Sequence, residues 1–245
     1  HVNAPLTNLS VAYMQNTSEF IATQVFPIVP VQYQSNLYYQ YPKGAWNRVD
    51  AKLRAPGTET AGGGWDLTQG TYRADVFGFH KDVTDQDRAN ADSIFSLDRD
   101  ATEYVSRQML LIQEQSFVSK YFGTGIWTGV TDQTGVSGAP GANQFKQWDA
   151  SGSTPIRDIK KQIVAIAQAT GFKPNTLVLG PQVYDVLSDH SDFLSRIQYT
   201  ERGIVTSELM ASVLGLDRVL APFPIKNTGA EGATDAHSFF YEIGR

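Results

Sequence analysis

The sequence predicts an α+β fold built from an extended two-stranded hairpin, one long helix and a smaller α/β module. Between about Tyr33 and Phe79 the chain is rich in aromatic residues, polar residues and glycines, without one clear helix period. Apolar residues then recur at helical spacing from Ala101 to Phe122, and helix and strand patterns alternate from Thr154 onward.

Composition limits the kinds of protein that the chain can form. With 245 residues, 41 % of them hydrophobic, it can bury a sizeable core. A net charge of -5 and the lack of a basic run argue against a dedicated nucleic-acid surface. Zero cysteines exclude disulfides, thiolate nucleophiles and Cys-ligated zinc. No stretch approaches the ~18 apolar residues of a membrane span, so we expect no membrane partner. Burial and assembly must therefore stabilise the fold.

The first thirty residues predict an extended arm with one short helix near Ser18 to Thr23. The hairpin follows, with Val31 to Tyr41 pairing back with Thr68 to Val76. A segment of this length is unusual for a loop, and an isolated hairpin is marginal in water. We therefore expect it to lie on another subunit. The candidate contact residues are Tyr38, Tyr39, Trp46, Lys52, Arg54, Trp65 and Tyr72.

The long helix is predicted to begin with a capping box in which Asp100 is the N-cap and Glu103 reaches back. Gly123 supplies the C-cap. The acidic stretch from Asp85 to Asp92 lacks the glycine and the final glutamate of an EF-hand calcium loop, so it is interpreted as a solvated turn. The predicted rod is on the order of 35 Å long.

Residues 123–154 are rich in glycine, which predicts a boundary before the α/β module. A helix then runs from its N-cap Thr154, with Pro155 at the first position, to Gly171. The apolar run from Thr176 to Gly180 predicts a central strand covered on both faces. The other elements expected here are a short helix from Pro181, a helix over Ser207 to Leu214, and strands at Arg218 to Ala221 and Ser238 to Ile243.

The chemical motifs are weak. His190 lies between Asp189 and Ser191-Asp192, which could orient a catalytic base, but these residues are also typical of a turn between helices. His80 is interpreted as a solvated strand end. The four histidines, at positions 1, 80, 190 and 237, show no zinc spacing, and the glycines at 62 to 64 precede no helix that could bind phosphate. We therefore predict no catalytic residue, no cofactor and no metal site.

Several short stretches follow one another in a recognisable order from Leu6 to Ile243. They are Asn8-Leu-Ser-Val-Ala-Tyr13, Gly78-Phe-His-Lys-Asp-Val83, Arg88-Ala-Asn-Ala-Asp92, Asp98-Arg-Asp-Ala-Thr-Glu103, Gly171-Phe-Lys-Pro-Asn-Thr-Leu-Val-Leu-Gly180 and Asp217-Arg-Val-Leu220. Through them the chain resembles the major capsid proteins of tailed phages, which have the HK97-type shell fold. The resemblance implies an N-terminal arm over residues 1–30 and an extended loop, the E-loop, over residues 31–79. It also implies a peripheral domain over residues 80–153, with its spine helix at 97–122, and an axial domain over residues 154–245.

On this resemblance the chain would be a structural protein of the virion that self-assembles, in the host cytoplasm, into hexamers and pentamers of an icosahedral shell around phage DNA. Its partners would be further copies of itself, with scaffold, portal and decoration proteins as other candidates. Because the chain is acidic, contact with the packaged double-stranded DNA should be loose. The axial domain would close the rings through polar loops that contain Glu201, Arg202, Asn227 and Glu231.

Three alternatives stay open at this stage. An encapsulin-like nanocompartment shares the same fold. An α/β hydrolase-like enzyme would use His190, and a carbohydrate-binding or decoration domain would use Trp46 and Trp65. Some phage relatives also form Lys-Asn isopeptide cross-links, for which Lys43 and Lys52 are the lysines in the E-loop.

Overall fold

A computed structural model describes residues 15–91, 96–197 and 205–242, in a mixture of helices and short strands. The chain divides into two compact units: Ile28–Gly78, here called the hairpin unit, and His1–Pro27 with Phe79–Arg245, here called the main unit. The helices are α1 (Ala22–Val25), α2 (Lys43–Trp46), α3 (Asp85–Asn90), α4 (Leu97–Tyr121), α5 (Pro155–Thr170), α6 (Pro181–Ser188), α7 (Ser191–Ile197) and α8 (Ser207–Leu214). The strands are β1 (Ser35–Gln40), β2 (Thr68–Arg73), β3 (Thr134–Val136), β4 (Gln144–Lys146), β5 (Thr176–Val178), β6 (Arg218–Leu220), β7 (Ile225–Asn227) and β8 (His237–Phe239).

The predicted antiparallel pairing of the hairpin is confirmed, over shorter strands than expected. Strand β1 pairs with β2 so that Ser35 lies opposite Arg73 and Gln40 opposite Thr68. Tyr38 lies opposite Gly70, and its ring crosses the glycine so closely that a Cβ there would come 2.6 Å from the ring Cζ. The Tyr38 ring can pack against the sheet here because residue 70 has no side chain.

Helix α4 confirms the predicted long helix and is about 38 Å long at 1.5 Å per residue. The predicted N-cap is wrong. The helix begins at Leu97, and Asp100 lies in its first turn, where its backbone N–H donates to the Ser96 carbonyl at 2.9 Å. An aspartate in a first turn is still favourable, because its charge complements the helix dipole.

The stretch interpreted as a solvated turn before α4 is instead the helix α3. Thr84 caps it: its hydroxyl accepts from the Asp87 N–H at 3.2 Å, and the Asp87 carboxylate accepts in return from the Thr84 N–H at 3.3 Å. This capping box satisfies backbone donors that the first helical turn leaves free.

Helix α5 has the predicted bounds, with Pro155 at its first position and Gly171 as its C-cap at φ 80°. The Thr154 side chain, the predicted N-cap, makes no capping hydrogen bond. The inner face of α5 buries Ile156 and Ile159 in the larger hydrophobic core. The other buried members of this core are Leu179, Leu187, Phe193, Ile197, Val205, Met210, Ala211, Leu214, Leu216 and Val219.

The prediction that Thr176 to Gly180 forms a central strand covered on both faces is wrong. Strand β5 pairs in parallel with β6 in a two-stranded sheet, and its residues are half-buried. Two strand pairs were not predicted: β3 with β4, inside the glycine-rich boundary, and β7 with β8. Strand β8 is also displaced toward the N-terminus from the expected Ser238 to Ile243.

A second, smaller core joins distant parts of the main unit. Ile21 and Ala22 come from the N-terminal segment, Phe117 from α4, and Phe240 and Tyr241 from the C-terminal segment. The predicted short helix near Ser18 to Thr23 is confirmed in part, as a 3-10 turn at Thr17–Glu19 followed by α1. Residues 15–27 of the predicted arm are therefore not extended throughout, and Ile21 and Ala22 pack into the main unit.

Candidate subunit-contact surfaces

None of residues 28–78 is buried, although the hairpin unit contains many large apolar side chains. Soluble monomers seldom expose contiguous apolar surface of this kind, and large exposed patches mark interaction sites. The side chains at least 44 % exposed include Ile28, Val29, Tyr33, Leu37, Tyr38, Tyr39, Tyr41, Trp46, Val49, Leu53, Trp65, Val76 and Phe77. The hairpin unit therefore offers a large apolar surface.

The two faces of the hairpin differ in how well the strand residues cover each other. On one face Tyr38 lies over Gly70, and the adjacent Tyr72 is half-buried, with its hydroxyl donating to the Tyr33 carbonyl at 3.2 Å. On the other face Leu37 and Tyr39 lie opposite short or polar residues and are 53 % and 64 % exposed. The side chains of Leu37 and Tyr39 are thus more exposed to solvent than that of Tyr38 on the other face.

Three aromatic rings of the hairpin unit form a group beyond the paired strands. The Trp46 ring lies 5.7 Å from that of Tyr41, edge to face, and 5.2 Å from that of Trp65. Helix α2 places Trp46 here, directly after the end of β1. All three rings are more than half exposed. The sequence indicates Trp46 and Trp65 only as individual candidates. In the structure they form one aromatic patch together with Tyr41.

The basic candidates lie between the two strands, away from the paired residues. Lys43 begins α2, and Lys52 lies in an exposed stretch without regular structure. The Arg54 guanidinium donates to the Thr58 carbonyl at 2.5 Å, which folds the chain back around Gly57 at φ 80°. Arg54 is thus used, at least in part, to shape its own loop.

Of the predicted ring-closing residues, the structure describes two. Asn227 ends β7, and its side chain organises the following loop: its oxygen accepts from the N–H of Gly229 and of Ala236, and its nitrogen donates to Asp235. Glu231 lies exposed in that loop. Glu201 and Arg202 lie outside the described residues, so their place in a ring-closing loop stays a prediction.

His190 has the contacts of a helix cap. Its Nδ1 accepts from the Asp192 N–H at 3.0 Å at the start of α7, so Nε2 carries the proton of the neutral ring. Nε2 then donates to the Ser153 hydroxyl at 3.0 Å, which donates to the Trp148 carbonyl. A catalytic serine would need the opposite arrangement, with Nε2 accepting and a carboxylate at Nδ1. The arrangement does not suit the hydrolase alternative.

A functional residue that the sequence did not indicate is Glu114, a charged residue that is 1 % exposed in the middle of α4. Its carboxylate accepts from the backbone N–H of Ile21 at 3.1 Å and of Ala22 at 3.0 Å, and also from the Tyr241 hydroxyl. Burial, followed by the hydrogen bond to Glu114, raises the pKa of Tyr241 well above its usual range. A glutamate three residues from both Leu111 and Phe117 was the available signal, because that spacing places it on the apolar face.

Further hydrogen bonds fasten the N-terminal segment to the C-terminal part of the main unit. The Gln15 side chain both accepts from the Ile225 N–H at 2.8 Å and donates to the Ile225 carbonyl at 2.9 Å, as a neighbouring strand would. Glu19 accepts from the Phe223 N–H at 2.9 Å. The Arg218 guanidinium donates to the Gln24 carbonyl at 2.7 Å. These hydrogen bonds therefore hold the N-terminal segment against the C-terminal part of the main unit.

Residues 15–91, 96–197 and 205–242 contain no group of three or more His, Asp or Glu side chains arranged to hold a metal ion. Within the same ranges, no helix combines the length and the apolar character needed to cross a bilayer.

The chain has similarity to phage proteins. Over 220 residues it is 23 % identical to the major capsid protein of Burkholderia phage BcepMu, and the alignment covers 89 % of this chain and 67 % of that protein. Its fold matches the crystal structure of a phage-related protein from Bordetella bronchiseptica with a TM-score of 0.64 at 20 % identity, covering 94 % of this chain and 70 % of that one. No protein-family model matches the chain. The predicted resemblance to a phage major capsid protein is confirmed.

Proposed function

We propose that this chain is a structural subunit of a phage capsid, with the HK97-type fold, and that it assembles with further copies of itself into hexamers and pentamers of an icosahedral shell around DNA. The observation that carries the proposal is the hairpin unit, which exposes aromatic residues along its length and buries none of its residues. The similarity to the BcepMu major capsid protein supports the same role.

In this proposal the parts of the molecule take the roles implied by the resemblance. The hairpin unit corresponds to the E-loop, α4 to the spine helix of a peripheral domain at 80–153, and the α/β module at 154–245 to the axial domain. Residues 1–30 correspond to the N-terminal arm. Scaffold, portal and decoration proteins are further candidate partners, and the virion is the proposed location, after assembly in the host cytoplasm.

The energetics favour a neighbouring copy as the occupant of the hairpin surface. Burying one large apolar side chain that was exposed contributes roughly 1.5–3 kcal/mol. The rings of Tyr41, Trp46 and Trp65, together with Leu37 and Tyr39, could therefore contribute several kcal/mol at each contact. A closed shell repeats the same contact in every subunit, so a moderate gain at one contact stabilises the whole.

Negative-stain microscopy of the purified protein tests the proposal. We expect rings of five or six subunits or closed shells, and shells recovered from infected cells should contain DNA. A preparation that stays monomeric at high protein concentration would contradict the proposal. Closed shells that enclose a protein cargo, with no nucleic acid, would support the encapsulin-like alternative instead.

A further inference from the structure

One face of α5 carries three cations and no acid. Arg157, Lys160 and Lys161 are exposed and fall within an arc of about 100° around the helix axis. Toward the C-terminal end the same face continues with Val164, which is 65 % exposed, and Gln168. The opposite face is occupied, because α5 packs on α7 and α8 and buries Ile156 and Ile159. The basic face, defined by Arg157, Lys160 and Lys161, therefore points to solvent in the single chain.

No carboxylate among the described residues neutralises these cations. Across the part of the molecule that the structure describes, no Asp or Glu oxygen lies within 4.0 Å of their nitrogens. The nearby Asp158 is turned toward the indole of Trp148, which donates to it at 3.3 Å. By contrast, Arg88 and Arg99 of the main unit each contact a carboxylate at 3.2 Å or less.

The placement of the three charges is unfavourable for the helix itself. Arg157 is three residues from Lys160 and four from Lys161, and like charges at these spacings destabilise a helix. Arg157 also lies in the first turn, where the helix dipole disfavours a cation. Residues that oppose local stability without a partner in the fold are typical of functional sites.

The chemistry of the face fits a polyanion better than a protein partner. Protein interfaces are depleted of lysine at their centres and rely on aromatic anchors, whereas this face has two lysines and a single small apolar residue. Lysine and arginine are the side chains that contact phosphate groups of duplex DNA. From Arg157 to Lys161 the helix rises about 6 Å, close to the roughly 6.8 Å of axial rise over two phosphate-to-phosphate steps along one strand.

We infer that the basic face of α5 is where the subunit contacts the phosphate backbone of duplex DNA. The inference rests on the proposed function and adds to it the residues that meet the packaged nucleic acid. Three phosphate contacts give weak binding that declines steeply with salt, so the DNA is held loosely and without sequence preference. The net charge of the whole chain is -5, which keeps its total attraction to DNA weak.

Binding of a short, fluorescently labelled DNA duplex to unassembled subunits, measured at several NaCl concentrations, tests the inference. The logarithm of the association constant should fall against the logarithm of salt concentration with a slope of about -2.7. The variant Arg157→Gln/Lys160→Gln/Lys161→Gln should lose most of that slope and bind at least about tenfold more weakly at the lowest salt. The control Lys43→Gln/Arg48→Gln/Lys52→Gln removes the same charge from exposed positions of the hairpin unit and should retain the wild-type slope.

An unchanged slope in the α5 variant, or an equal loss in the control, would overturn the inference. Preferential binding of poly-glutamate over the duplex would overturn it in favour of an acidic protein partner. Microscopy of the same α5 variant separates this result from the proposed function. Normal shells with an unchanged salt slope contradict only the DNA contact, whereas a wild-type protein that forms no rings or shells contradicts the capsid role.

Discussion

The carboxylate of Glu114, buried in the middle of α4, accepts a hydrogen bond from the hydroxyl of Tyr241, 127 residues further along the chain. The same carboxylate accepts from the N–H groups of Ile21 and Ala22, which open α1. One side chain therefore joins the long helix to both the N-terminal and the C-terminal segments. A buried charge is tolerated here because several donors satisfy it.

Replacing Glu114 with glutamine should destabilise the subunit by about 2–4 kcal/mol, because an amide keeps only one acceptor for three buried donors. Urea unfolding of the unassembled subunit measures the change. Gln115→Ala, at the next and exposed position of α4, is the matched control and should stay within about 0.5 kcal/mol of the wild type. A Glu114→Gln protein as stable as the control would show that the three contacts contribute little.

Tyr241 should make the subunit less stable in alkali. Its folded-state pKa is raised, so the folded chain keeps a proton that the unfolded chain loses above about pH 10. The contribution of Tyr241 is complete below that pH and is lost as pH rises above it, with a slope of at most about 1.4 kcal/mol per pH unit. Tyr241→Phe should flatten the pH dependence of the unfolding free energy, whereas Tyr39→Phe, at an exposed position, should leave it unchanged. Identical curves for Tyr241→Phe and the wild type would exclude this linkage.

His190 should be replaceable by a residue that caps a helix but cannot act as a base. His190→Ala removes the acceptor for the Asp192 N–H and should cost about 1 kcal/mol, whereas His190→Asn should restore most of that stability. We expect no hydrolytic activity in a broad ester and amide screen of the wild type. Activity that disappears in the Asn variant would favour the hydrolase alternative.

The double variant Trp46→Ala/Trp65→Ala should separate folding from assembly. Both rings are exposed, so the unfolding free energy of the free subunit should change by less than about 0.5 kcal/mol. Formation of rings or shells should nevertheless be impaired, since the aromatic patch would be lost from each contact. Phe172→Ala, which removes a ring that is 79 % exposed in the main unit, is the control. Normal assembly of the double variant would show that the aromatic patch does not form the subunit contact.

The sequence predicts best the elements that have a strong start signal and a strong stop signal. Pro155 and Gly171 bound α5 because each residue type has a strong backbone preference at its position. The start of α4 was wrong because Ser96 and Asp100 are both acceptable caps, and the sequence alone does not decide between them. Helix α3 was missed because it is short and polar, although the Thr84 and Asp87 spacing was a usable sign.

The contact surfaces could be predicted only in part. Tyr38, Trp46 and Trp65 were identified by type, but their grouping depends on how α2 and the strands fold back. The basic face of α5 was missed because Arg157, Lys160 and Lys161 form no continuous run, and their common face becomes visible only at helical spacing. Glu114 was missed because a charged residue in a helix is usually solvated, and its donors come from remote segments.

Hydrogen exchange of the hairpin unit, residues 28–78, tests the central claim most directly. Its amides should exchange rapidly in the free subunit, because a two-stranded hairpin without a buried residue has little local stability. In assembled rings or shells the same amides should become protected, most strongly in the strands β1 and β2. Peptides of the buried part of α4 around Glu114 and Phe117 serve as an internal reference and should be protected in both states. Equal exchange of the hairpin unit before and after assembly would contradict the account.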